Sequence, residues 1–215
     1  MKLNFLRSAL LLIDVQNDFC PGGALAVKEG SMVIEPLNRL VSLFAGNNGR
    51  VIATQDWHPG DHVSFASSHK DRKPGETIDL PAVKNQVLWP GHCVQGTAGA
   101  AFHEKLDTSK VCMIIRKGLR RELDSYSAFF ENDRKTPTGL EGFLKTLSIN
   151  TVVLAGLATD YCVLYSALDA ASLGHKTIVI SDAVRGVNFP HGSIDNAMRL
   201  LKEAGVTVME SEGIK

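Results

Sequence analysis

The chain has 215 residues, a length that one hydrophobic core can serve, and no Pro/Gly/Ser-rich or like-charge stretch divides it, so a single domain over residues 1–215 is expected. Twenty-three basic side chains balance twenty-three acidic ones. That excludes a net field drawing the protein onto nucleic acid or an anionic membrane and favours a small neutral partner. Cys20, Cys93, Cys112 and Cys162 lack CxxC spacing, which argues against both a disulfide framework and a thiolate zinc cage. The apolar run Ala9 to Ile13 is followed at once by Asp14, Gln16, Asn17 and Asp18, too short for a signal segment or a membrane span. A soluble, cytoplasmic protein with reduced thiols is expected.

Short apolar runs rich in branched residues alternate with segments of helical period, the order of a parallel sheet flanked by helices. The first strand is expected over Ala9 to Asp14. A helix follows from Met32 to Phe44 with Val33, Leu37, Leu40, Val41 and Phe44 on one face, ended by Gly46 and the Asn47-Asn48-Gly49 turn. The second strand spans Arg50 to Gln55. From Trp57 to Lys110 there is little periodicity, yet this stretch holds five of the seven histidines. A loop of that length in a compact domain is usually functional. A third strand is expected over Val111 to Arg116, then a helix starting at Pro137, after Thr136, and burying Leu140, Phe143, Leu144 and Leu147. The strand Thr151 to Ala155 leads into a helix capped by Asp160 or Thr159, which carries Val163, Leu164, Ala167, Leu168 and Ala171 inward and stops at Gly174. Strand Thr177 to Ser181, helix Ser193 to Ala204 and strand Val206 to Met209 complete the pattern. The fold class is α/β: a doubly wound, mostly parallel six-stranded sheet with helices on both faces.

In such a sheet, ligands bind outside the carboxyl ends of the strands, where the order of connection reverses. Asp14 closes the first strand, Asp56 the second and Lys117 the third, while Cys162 lies just beyond the fourth. Taken singly, Cys162 fits a small buried core residue, Asp14 a cap and Lys117 a solvated charge. Their joint placement on one edge points instead to chemistry. A cysteine at a helix N-terminus has its thiol pKa lowered by the backbone dipoles, and an adjacent ammonium favours the thiolate. Asp14 is placed to take the thiol proton and return it to a leaving nitrogen. Cys112, alternating within a strand, reads as core, and Cys20 and Cys93 as structural.

The second constellation is Asp56-Trp57-His58, with His62, His69 and His92 downstream. Residues two apart on an extended segment point the same way, so Asp56 and His58 can share a cation. The loop must supply a third ligand. Asp, His and His without a thiolate suit zinc, iron(II) or manganese with positions left for water or substrate. A cap plus a surface histidine is the plainer reading of D-x-H alone.

Four motifs then carry a resemblance over nearly the whole chain: Asp14-Val15-Gln16-Asn17-Asp18-Phe19; Gln55-Asp56-Trp57-His58-Pro59 with His62 and Ser64-Phe65; Trp89-Pro90-Gly91-His92-Cys93-Val94; and Gly156-Leu157-Ala158-Thr159-Asp160-Tyr161-Cys162-Val163. Lys117-Gly118 and Asp124-Ser125-Tyr126-Ser127-Ala128-Phe129 add a fifth region. Together they resemble nicotinamidases of the isochorismatase-like hydrolase superfamily. The resemblance implies that Asp14, Lys117 and Cys162 form a catalytic triad and that Asp56, His58 and His92 bind one divalent metal ion, zinc first, with iron or manganese as alternatives. It makes His62 a supporting or alternative ligand, and His69, His103, His175 and His191 surface or structural. It also implies a cis Leu157–Ala158 bond that aims the Ala158 and Cys162 backbone N–H groups at an oxyanion. Phe19, Trp89 and Tyr126 fall where the family holds a pyridine ring, whose nitrogen meets the metal. The implied reaction is hydrolysis of nicotinamide to nicotinate in NAD salvage, with pyrazinamide also accepted, and the implied assembly is a homo-oligomer. An amidase of another small carbamoyl substrate, of the N-carbamoylsarcosine type, is the alternative on the same scaffold.

Overall fold

Strand β1 (Ser8–Ile13) buries every side chain, the pattern of a strand covered on both faces. In the computed structural model, which describes residues 1–215, it lies inside the sheet. The remaining strands are β2 (Arg50–Asp56), the short pair β3 (Thr77–Ile78) and β4 (Gln86–Val87), β5 (Met113–Lys117), β6 (Thr151–Leu157), β7 (Lys176–Arg185) and β8 (Thr207–Met209). The main sheet has the order β5-β2-β1-β6-β7-β8 and every pairing in it is parallel. The chain winds outward from β1 to β5, then returns to place β6 on the other side of β1. The strand order therefore reverses between β1 and β6, and a crevice opens at their carboxyl ends.

Alternation along the strands divides the core in two. Leu10 and Leu12 of β1 join Val51, Ala53, Val153 and Ala155 under helix α1 (Ile34–Gly46), whose Leu37, Leu40, Val41 and Phe44 fill that side. Ala9, Leu11 and Ile13 face the opposite way, with Val152 and Leu154, toward helices α2 (Leu140–Thr146), α3 (Leu164–Ser172) and α4 (Ser193–Glu203). Each fully buried leucine or phenylalanine in these layers contributes about 1.5–3 kcal/mol by leaving water. At the mouth of the crevice the backbone itself demands glycine. Gly156 has φ of +129°, and a Cβ there would stand 2.1 Å from the Ile13 carbonyl oxygen.

Several boundaries differ from the sequence expectation. α1 starts at Ile34, after a 3-10 turn over Gly30–Val33. α2 starts at Leu140, not Pro137, because Gly139 at φ 99° and a bridge between Phe130 and Pro137 hold the preceding chain out of the helix. β5 starts two residues late, at Met113, so Cys112 is exposed rather than part of the core. β7 runs on to Arg185 past a register shift against β6. The antiparallel β3–β4 pair lies within the stretch that shows no periodicity. No helix is long and apolar enough to cross a membrane.

Candidate active site

Parallel pairing sets Asp56 beside Lys117 at the ends of β2 and β5, and Ile13 beside Gly156 at the ends of β1 and β6. Asp14 follows in a left-handed conformation, φ 48°, and is fully buried. Thr54 holds it twice: the Thr54 hydroxyl accepts the Asp14 N–H at 3.1 Å and donates to Oδ1 at 2.6 Å. The peptide bond between Leu157 and Ala158 is cis. The Ala158 N–H donates to no backbone or side-chain acceptor.

Lys117, 2% exposed, is the hub of the charged cluster. Its ammonium has three protons to give. They go to Asp56 Oδ1, to the Ser125 carbonyl at 3.0 Å and to Cys162 Sγ at 3.4 Å. Asp14 Oδ2 lies 2.9 Å from the same nitrogen and forms an ion pair with it. A carboxylate oxygen of Asp14 and the Cys162 sulfur lie within 4.8 Å of one another. Burial raises the Asp14 pKa, with Lys117 pulling it down and Asp56 pushing it up.

Cys162 departs from expectation in one respect. The turn that carries it, Thr159–Val163, is π-helical and has no side-chain cap. Burial pushes the thiol well above its ordinary pKa; Lys117 opposes that, and Asp14 and Asp56 reinforce it. Desolvation outweighs the helix-terminus effect expected from the sequence, and it raises the pKa of the thiol. Asp160 and Thr159 do not cap the helix, and the Asp160 carboxylate instead reaches the segment after β7.

Beyond Lys117, Asp56, His58 and His92 each offer one ligand atom within 4.8 Å of the other two. Asp56 divides its oxygens, Oδ1 to Lys117 and Oδ2 toward His58 Nε2 at 3.6 Å and His92 Nε2 at 3.9 Å. The Nδ1 atoms of His58 and His92 face the carbonyls of Gly118 at 3.0 Å and Pro90 at 2.9 Å. A carbonyl only accepts, so each Nδ1 carries the proton and each Nε2 keeps its lone pair for a cation. Burial pulls the His58 pKa down, but the Asp56 carboxylate outweighs it and leaves it raised; burial and then the charge of His58 drive His92 down to about 4. One carboxylate and two imidazoles suit a divalent metal ion, which would take the place of the proton that Asp56 favours on His58.

His58, His62 and Asp124 meet the same spacing. Both His62 nitrogens are nevertheless engaged, Nδ1 with Ser64 Oγ at 2.7 Å and Nε2 with the Leu123 carbonyl at 3.3 Å. His62 supports instead, its ring 4.3 Å from that of His58. The remaining grouping, Asp14, Asp56 and Cys162, already surrounds the Lys117 ammonium.

Above these groups sits a pocket of about 380 Å³, mouth included, lined among others by Phe19, Trp89, Tyr126, Tyr161, Ala158 and Cys162. The three aromatic residues expected from the sequence thus share one cavity with Cys162, Asp56, His58 and His92. Three residues to which the sequence gave no role also belong. Gln16, buried, accepts the Asp56 N–H and donates to the Asp56 carbonyl, both at 2.8 Å, so its side chain pins the backbone that presents the ligand. Ser125 supplies the carbonyl under Lys117, and Asp124 lines the pocket with its oxygens held by the Ser125 N–H and Gln86 Nε2. Gln16 stands just past the strand end that drew attention to Asp14, the one local signal for it.

Comparison with known proteins agrees with this geometry. The family model of the isochorismatase domain matches residues 8–213. The chain is 46% identical to the nicotinamidase of Acinetobacter baylyi, over 96% of this chain and 94% of that protein. It superposes on the Acinetobacter baumanii nicotinamidase/pyrazinamidase structure with a TM-score of 0.93 at 46% identity, covering 98% and 99% of the two chains. On the Pyrococcus horikoshii pyrazinamidase in complex with zinc the TM-score is 0.77 at 32% identity, covering 95% and 99%. The full-length match and the shared fold have one explanation: the chain belongs to the isochorismatase family, in its nicotinamidase group.

Proposed function

We propose that the chain hydrolyses nicotinamide to nicotinate and ammonia through a thioester on Cys162, and that pyrazinamide, with one more ring nitrogen, is also a substrate. The observation that carries the mechanism is the buried Asp14 carboxylate, with an oxygen within 4.8 Å of the sulfur of Cys162, which itself lines an aromatic pocket. Asp14 takes the thiol proton as Sγ bonds to the amide carbon, and the carbonyl oxygen, now an oxyanion, accepts the Ala158 and Cys162 N–H groups. The C–N bond then breaks, Asp14 gives its proton to the nitrogen, and ammonia leaves. Asp14 next deprotonates a water, whose oxygen attacks the thioester. The C–S bond breaks, nicotinate is released, and the thiol is restored. Lys117 holds Asp14, Asp56 and the sulfur in register throughout, and its charge stabilises the transient thiolate.

Phe19, Trp89 and Tyr126 bind the ring faces. Asp56, His58 and His92 would hold the metal ion, zinc by preference, which when bound supplies a Lewis-acid contact for the ring nitrogen. Within the cell the reaction would return nicotinamide to NAD synthesis, and we read the enzyme as a cytoplasmic homo-oligomer.

The test is ammonia release from nicotinamide by wild type, by Cys162→Ala, and by chelated wild type reconstituted with zinc, iron or manganese. Turnover by wild type alone, restored after chelation by metal, supports the reading. No release from wild type with any of the three metals overturns it, and a carbamoyl amide becomes the next substrate to try.

A further inference from the structure

The two residues before the nucleophile hold a different part of the chain. Asp160, 5% exposed and without a cationic partner, accepts the Val187 N–H at 2.9 Å, the Asn188 N–H at 2.8 Å and the Ser193 hydroxyl at 2.5 Å. Tyr161 donates its hydroxyl to the Phe189 carbonyl at 2.6 Å. These four bonds tie the segment between β7 and α4 to the turn that carries Cys162. The segment is shaped for that attachment. Asn188 is left-handed at φ 56° and accepts the Gly192 N–H, and a Cβ on Gly186 would stand 3.0 Å from Asp160 Oδ1 and 2.5 Å from Ile194. The tethered segment reaches the pocket: Val187 lines it beside Tyr161, and the Phe189 ring meets Trp89 at 6.4 Å between centroids.

We infer that Asp160 is a positioning residue for substrate: by fixing residues 186–193 it sets the Val187 and Tyr161 wall at a constant distance from Cys162. A carboxylate suits this task because its two oxygens accept several donors at once, and backbone N–H groups give it fixed directions. The role rests on the reading of the pocket as the nicotinamide site. It is separable from stability in general, because a loosened wall weakens how the ring is held while leaving the sulfur, Asp14 and Lys117 in place.

The experiment compares wild type with Asp160→Ala, Asp160→Asn and Ser193→Ala. Losing hydrogen bonds to a buried charged acceptor at a binding wall predicts a KM for nicotinamide about tenfold higher in Asp160→Ala and about threefold higher in Ser193→Ala, with Asp160→Asn between them. kcat and the rate of Cys162 alkylation by iodoacetamide are expected to stay within about threefold. Hydrogen–deuterium exchange of peptides covering 186–193 should accelerate in the same order. Faster exchange with an unmoved KM makes the tether purely structural and overturns the inference. So does a fall in kcat and alkylation at constant KM, which would place Asp160 behind the nucleophile instead. If Asp160→Ala does not fold, Asp160→Asn and Ser193→Ala decide by the same readouts. If wild type shows no turnover, calorimetric titration with nicotinate reads the same ratios as dissociation constants, so failure of the functional reading appears in wild type and failure of this one appears between variants.

Discussion

Replacing Lys117 with methionine keeps most of the side-chain volume and removes one charge from the centre of the site. The ammonium is 2.9 Å from Asp14 Oδ2 and hydrogen-bonded to Asp56 Oδ1, with all three side chains almost completely buried. At an effective dielectric constant of about 20, each contact near 3 Å attracts by about 5–6 kcal/mol, much of which offsets the cost of desolvating the ions. Removing one partner leaves the others buried and uncompensated, at a net cost of about 3–5 kcal/mol. Urea unfolding followed by tryptophan fluorescence, in chelator at pH 7.5, should show a loss of that size for Lys117→Met. The pH dependence has a definite sign. Without the ammonium, two neighbouring carboxylates face each other, and their folded-state pKa values rise above the unfolded ones; that favours the fold at low pH and is lost as pH rises. In wild type Asp56 is held well below the usual carboxylate range against the cost of its burial, with Lys117 the main charge lowering it, so its contribution is present at neutral pH and lost as pH falls. The two stability curves should therefore draw together as pH falls, the variant gaining as its raised carboxylates take up protons and wild type losing the Asp56 contribution only below the unfolded carboxylate pKa of about 4. A variant within about 1 kcal/mol of wild type at pH 7.5, or a gap that widens on acidification, would refute the charge-hub reasoning.

Three further outcomes follow from the geometry. Gly118→Ala forces a Cβ to within 2.3 Å of the His58 ring; zinc affinity, titrated against a chromophoric chelator, should fall about 10- to 100-fold, and unchanged affinity would mean that the ring shifts freely. Gln16→Leu removes both hydrogen bonds to the Asp56 backbone and leaves a buried N–H and carbonyl unpaired, at about 1–3 kcal/mol each; thermal unfolding that does not move would rule out the clamp. Cys162→Ala should unfold within about 1 kcal/mol of wild type, as a small truncation whose sulfur receives one long hydrogen bond, while ammonia release disappears. Residual turnover would assign the nucleophile elsewhere.

The sheet was readable because its central strands β1, β2 and β6 are buried on both faces and so appear as largely apolar runs, and Asp14, Asp56 and Lys117 stood out as the polar residues at strand ends. Features fixed by neighbours distant in sequence were not readable. Nothing around His62 announces that the Leu123 carbonyl occupies its Nε2, and nothing around Cys162 announces a burial strong enough to reverse the shift expected from a helix terminus. Asp160 reads as a helix cap, since Asp before an apolar run usually is one, until the segment after β7 comes within reach of it. Pro137 looked like a first helical residue, but Gly139 delays the helix.

The strand order also has a consequence for when the site comes into being. β6 inserts between β1 and β7, and the nucleophile lies directly beyond it. A ribosome therefore makes Asp14, Asp56, His58, His92 and Lys117 well before it makes Cys162, and the sheet has no central closure until β6 arrives. Long-range parallel pairing of this kind is slow to form. A nascent chain halted before residue 151 would carry Asp14, Asp56, His58, His92 and Lys117 without Cys162, and the crevice is complete only once β6 pairs with β1.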